Sequence, residues 1–138
     1  MSAGSEEPPI RAERNRLDRA PDPAARPPGE RVRELQRERV KALEEQLDGL
    51  FGQMAERKDP PGYYLEAIQE LGEAELDLAD DRAAEVAALD KTARRLREAE
   101  EKIRALWETG LQTKQSVAQA KAARLKAEIR LEKRKAAR

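Results

Sequence analysis

Glu66, Glu70 and Glu73 stand at i, i+4 and i+7, and Asp77, Asp80 and Asp81 follow at the next bend. Residues at that spacing share one face of a helix, so the cluster offers oxygen ligands of the kind that hold Mg²⁺ or Ca²⁺. A Ca²⁺ site needs a glycine-bent loop that gathers six or more oxygens, and the simpler reading is a solvated acidic face. Paired carboxylates for glycoside hydrolysis need a cleft between two walls, which a thin bundle does not offer. The second chemical cluster is basic: Arg124, Lys126, Arg130, Lys133, Arg134, Lys135 and Arg138. Clustered cations neutralise phosphates. No aromatic lies beyond Trp107 to stack on a base, and cations at a helix C-terminus also suit the negative end of the macrodipole.

The inventory removes most other catalytic designs. Histidine and cysteine are absent, which excludes thiolate or histidine zinc sites, histidine-dependent triads and disulfides. No glycine-rich phosphate loop occurs. With 41% charged and 3% aromatic residues, the core must be thin and built from Leu, Val, Ile and Ala. The sequence therefore predicts a protein that is not an enzyme, with no metal, no cofactor and no small-molecule substrate. Basic and acidic residues balance at 28 each, so no net field draws the chain to nucleic acid or an anionic membrane. No stretch reaches the roughly 18 apolar residues of a spanning helix. The opening Met-Ser-Ala-Gly-Ser-Glu-Glu-Pro-Pro lacks a positive n-region and an apolar h-region. That predicts a cytoplasmic protein as written, or a periplasmic one if the true start lies upstream.

The elements that must carry these groups are helices. All eight prolines lie at or before Pro61, and the following 77 residues have none; they are rich in the best helix formers. Residues 1–29 hold six prolines and ten charges but only Ile10 and Leu17 as sizeable apolar side chains, which predicts a disordered tail. The helical domain is expected over 30–138. Val40, Leu43, Leu47, Leu50 and Met54 step 3, 4, 3, 4 in a helix of about 30–57, ended by Pro60-Pro61-Gly62. Leu43, Leu47, Leu50 and Phe51 could also meet a membrane surface, though a stripe of that width is more simply a core seam. Gly49 and Gly52 suggest close packing or fraying in its last third.

A second helix is expected over 63–79, with Leu65, Ile68, Leu71, Leu76 and Leu78 on its apolar face. Asp80-Asp81 predicts a break there, the alternative being one continuous helix to Thr109. A third helix, 82–109, carries Val86, Leu89, Ala93, Leu96, Ile103 and Trp107 on a heptad track on which only Glu100 is polar. At the junction Trp107 covers the turn, Gly110 supplies the left-handed residue that ends the helix, and Thr113 caps the next. Tyr63 and Tyr64 are expected to seal the opposite end. The fourth helix, 114–137, is expected to close the seam with Ala118, Ala122, Leu125 and Ile129, with Val117 and Leu131 beside them. On that reading Ile129→Asp costs roughly 2 to 4 kcal/mol if Ile129 is buried. Residues 63–81 hold seven acids and no base, and residues 110–138 hold nine bases and two acids, which predicts that these two helices lie side by side or pair between subunits.

The segments Tyr64 to Ala79 and Ile103 to Leu131 together resemble the helical hairpin of TolC-like outer-membrane efflux proteins. In that family a helix ends in an aromatic and a glycine, matched by Trp107 and Gly110. A Val-Leu-x-Ala stretch then opens an Ala-rich helix with Ala-Glu near its end, and Val117, Ala120, Ala127 and Glu128 match that returning helix. The resemblance implies a helical hairpin unit and assigns no transport residue. The fold expected is thus all-α, an elongated antiparallel helical bundle or coiled-coil hairpin behind a disordered tail. The function expected is a non-catalytic scaffold or protein–protein docking module that binds itself, as a homodimer, or a partner helical protein. The alternatives are a fragment or relative of an efflux hairpin in the cell envelope, and a nucleic-acid contact through the basic last helix.

Overall fold

The structure, a computed structural model, describes residues 28–57 and 59–137, and the described residues are all-α. Four helices follow one another: α1 (Pro28–Arg57), α2 (Gly62–Asp77), α3 (Arg82–Glu108) and α4 (Lys114–Ala136). Of the expected disordered tail, residues 1–27 lie outside the described residues; Pro28 and Gly29 open α1, where proline's fixed φ suits a first helical turn. The chain falls into two units, Met1–Leu35 and Gln36–Arg138. In the first, the described part is the opening of α1, with Arg31 and Glu34 paired at 3.5 Å. The second holds the core.

Each chain reversal in the second unit is written in local chemistry. Pro61 precedes α2 and accepts the Leu65 amide at 2.9 Å. α2 ends at Asp77, two residues short of expectation, because the Leu78 and Ala79 amides tighten onto the Glu75 and Leu76 carbonyls at 3.1 and 3.0 Å. Asp81 then caps α3, its carboxylate accepting the Ala84 amide at 2.8 Å. The break between α2 and α3 is therefore real. At the far end of α3, Gly110 sits at φ +80°; its amide reaches the Trp107 carbonyl at 2.9 Å, and the Leu111 amide reaches that of Leu106 at 2.8 Å. This is a Schellman close, which satisfies carbonyls that a helix end leaves open. Thr113 caps α4, accepting the Ser116 amide at 3.0 Å.

The core lies where α1, α2, α3 and α4 meet. Met54, Tyr64, Leu65, Ile68, Leu96, Ala99, Ile103 and Ala120 form one buried cluster, with Leu47, Leu50 and Phe51 of α1 packed against it. The α1 stripe that could have met a membrane is thus turned inward. Leu89, Ala93 and Leu131 form a second cluster, flanked by Leu76, Val86 and Ala127. Phe51 and Tyr64 rings stand 5.4 Å apart, and Lys102 Nζ lies 5.0 Å from the Phe51 centroid. Arg39 reaches Asp77 at 3.4 Å, so α1 and α2 run antiparallel.

Several expectations need correction. Tyr63 is 78% exposed while Tyr64 is buried, so only one of the pair seals anything. Their loop is not opposite the Gly110 turn but beside it: Gln112 Nε2 donates to the Asp59 carbonyl at 2.6 Å. Trp107, on the heptad track by spacing, is 40% exposed, because the track leaves the core after Ile103. Gly49 and Gly52 have open space where a Cβ would stand, so close packing is not their reason. Close packing belongs to Gly72 instead, whose Cβ would meet Thr92 Oγ1 at 2.3 Å.

Candidate interaction surface

α3 and α4 run antiparallel, and their ion pairs record the register. Arg134 Nε donates to Glu85 at 2.7 Å, Arg97 Nη2 to Glu128 at 3.0 Å, and Arg124 Nε to both oxygens of Glu100 at 3.2 Å. Arg82 at the start of α3 donates to the Lys135 carbonyl and, at 3.4 Å, to that of Arg134. It thereby satisfies carbonyls that the last turn of α4 leaves without helix partners.

The charges around these pairs are internally satisfied. Glu100 is buried, yet its carboxylate meets Arg124 and, at 3.7 Å, Arg104. Hydrogen bonds from Arg97 and then Arg124, outweighing the effect of burial, hold the Glu128 carboxyl below the usual carboxylate range. Burial alone would raise the Glu75 carboxyl, but the hydrogen bonds from Arg95 and Lys91 prevail and lower it. The acidic α2 and basic α4, expected to lie side by side or to pair between subunits, meet in the core cluster through Tyr64, Leu65, Ile68 and Ala120 and share one ion pair among the described residues, Glu73 with Arg130. α4 packs chiefly on α3, whose own carboxylates Glu85 and Glu100 take up its arginines, so α2 and α4 meet in the core with little of their excess charge paired.

α4 consequently has two faces. Inward point Ser116, Ala120 and Leu131, all buried, with Ala123 and Ala127 half-buried. The steps of 4, 3, 4, 4 follow one helix face. Outward point Ala118, Ala122, Leu125 and Ile129, all exposed, with Leu125 at 41% and Ile129 at 55%. This corrects the expected seam: Leu125 and Ile129 do not close against α3, whereas Val86, Leu89, Leu96, Ile103 and Val117 do lie in or against the core. Bulk misled the reading. The inner face uses alanine because α3 comes close, and its larger side chains Leu96 and Ile103 fill the space. Arg124 and Arg134 flank the inner face and pair with Glu100 and Glu85 of α3, a pairing that the apolar pattern of α4 alone does not reveal.

The other candidate chemistry disperses. Asp81 serves as a cap and Asp77 as a partner of Arg39, and among the described residues no carboxylates gather as a metal site. A cleft among α2, α3 and α4, lined by Gly72, Thr92, Leu96 and Ala127, holds about 90 Å³, and a wider hollow of about 470 Å³ lies beside the turn into α2, lined by Asp59, Pro60, Gly62, Tyr63 and Glu66. No described helix is long and apolar enough to cross a membrane. No protein-family model matches the chain, and no curated protein or solved structure matches it.

Proposed function

We propose that the protein is a non-catalytic helical docking module, with the outward face of α4 as its contact surface. One observation carries this reading: Leu125 and Ile129, with Ala118 and Ala122, repeat at helical spacing on the side of α4 turned away from the core. Isolated exposed apolar residues need no explanation, but a stripe at steps of 4, 3 and 4 is the pattern by which one helix receives another. Small residues in that stripe let a second backbone approach. Of the basic residues that suggested a nucleic-acid contact, Arg124, Arg130 and Arg134 each rest on a carboxylate of this chain and Lys135 on Glu132, which weakens that reading.

The test compares the wild-type chain with the paired variant Leu125→Gln and Ile129→Gln as baits in lysate from the native cell. The reading requires a helical protein held by the wild type and released by the variant, with circular dichroism unchanged. Equal retention of every bound protein by both baits would refute it.

A further inference from the structure

The outward stripe of α4 is edged by lysines that the fold leaves unused, and that asymmetry identifies the chemistry of its partner. In the heptad written along this stripe, Ala122, Ile129 and Ala136 occupy a and Ala118, Leu125 and Glu132 occupy d. Lys114 and Lys121 then stand at g, and Lys126 and Lys133 at e, the positions that meet the flanks of a partner helix. All four lysines are exposed, and no ion pair joins them to a carboxylate among the described residues. The nearby acids are already matched within the chain: Glu128 by Arg97 and Arg124 at 3.0 Å each, Glu132 by Lys135 at 3.4 Å. Of the eight cations of α4, three arginines pair as planar donors with carboxylates of this chain, Lys135 pairs with Glu132, and the other four lysines edge the apolar stripe, Lys126 on the side of the cleft among α2, α3 and α4.

We propose that this face receives an amphipathic helix of another protein, with apolar residues at its a and d positions and Glu or Asp at e and g. The inference rests on the docking reading above. A second copy fits the same face less well. Antiparallel self-pairing sets g against g and e against e, which opposes Lys121 to Lys135, Glu128 to Glu128 and Lys126 to Lys126; parallel self-pairing sets g against the next e, which opposes Lys121 to Lys126 and gains only Glu128 against Lys133, a carboxylate already held by Arg97 and Arg124. Like charges at these positions select against a pairing. A lipid surface is served less well, since two bulky apolar residues without an aromatic bury little area and Glu132 interrupts the stripe.

The full-length chain should be titrated with two synthetic four-heptad peptides, both with Leu and Ile at a and d, one with Glu and the other with Lys at e and g. The acidic peptide is expected to bind at least about tenfold more tightly at low salt, and that advantage to shrink in 0.5 M NaCl. The paired variant Lys121→Glu and Lys126→Glu should reverse the preference, and Leu125→Gln with Ile129→Gln should abolish binding of both peptides without lowering the melting temperature. Equal binding of the two peptides would overturn the acidic partner and leave the docking face standing. Binding of neither would overturn the docking face itself. Sedimentation showing a dimer that Leu125→Gln and Ile129→Gln dissolve would assign the face to a second copy. Binding to phosphatidylserine vesicles lost in the same variant would assign it to a membrane, and either result would overturn the proposal.

Discussion

Replacing Gly72 by alanine sets two opposing effects against each other at one carbon. Alanine in a helix interior is favoured over glycine by about 1 kcal/mol, and at Gly49 or Gly52, where a Cβ meets nothing within 4 Å, that gain should appear almost in full. At Gly72 the same methyl would lie 2.3 Å from Thr92 Oγ1, 3.0 Å from Cγ2 and 3.2 Å from Cβ. Thr92 cannot turn out of the way, because rotation about χ1 exchanges one substituent for another and leaves Cβ in place; it also gives up the bond from Oγ1 to the Ala88 carbonyl at 3.2 Å. α2 and α3 must then separate, and overpacking of this kind costs about 1 to 3 kcal/mol. With a contact this short the upper half of that range applies, so Gly72→Ala should lose about 1 to 2 kcal/mol net while Gly49→Ala gains up to about 1. Urea denaturation followed by circular dichroism resolves such a difference. Adding Thr92→Ala to Gly72→Ala removes the two shortest contacts, so the double variant should recover most of the loss and show a coupling of about 1 kcal/mol. A Gly72→Ala protein at least as stable as the wild type would refute the close approach of α2 and α3.

The two faces of α4 should differ as sharply: Leu131→Asp is expected to cost about 2 to 4 kcal/mol, Ile129→Asp less than about 1, and equal losses in thermal melts would contradict the assignment. Arg124→Ala strands the buried Glu100 and should cost about 1 to 3 kcal/mol, moderated by Arg104, whereas Glu100→Gln keeps the shape and should cost less. Chemical denaturation giving the reverse order would show that the pair is solvated. Because Glu75 and Glu128 hold their protons less tightly when folded, the unfolded chain binds more protons, and stability falls as pH drops. The contribution is complete above the ordinary glutamate value near 4.3 and is lost as pH passes through the lower folded values. Melting temperatures should fall from about pH 4.3 downward, less steeply in Glu75→Gln; an unaltered slope in that variant would exclude Glu75 as a contributor.

Much of the frame is legible in the residues because its signals are local. Proline and glycine mark the end of α1, Asp81 the start of α3, Gly110 and Thr113 the reversal into α4, and each acts through its own backbone hydrogen bonds. The faces of α1 and α3 are equally plain, since bulky apolar residues at one spacing have no rival on the opposite side. α4 carries two stripes, and periodicity cannot rank them. Which one turns inward depends on α3, where Leu96 and Ile103 supply the bulk and Glu85 and Glu100 anchor the arginines. The role of Gly72 was hidden for the same reason: a close approach depends on Thr92, twenty positions away. Net charge did not reveal the individual pairs, because the total on α2 and α4 says nothing of which carboxylates on α3 lie nearer to the arginines.

The absence of cysteine makes α4 open to a direct reading by thiol labelling of single replacements in the full chain under native conditions. Leu125→Cys and Ile129→Cys should react at rates close to those of an unfolded peptide, and Ala120→Cys and Leu131→Cys at least about tenfold more slowly. Protection at 125 and 129 together with free reaction at 120 and 131 would turn the helix over and remove the docking face.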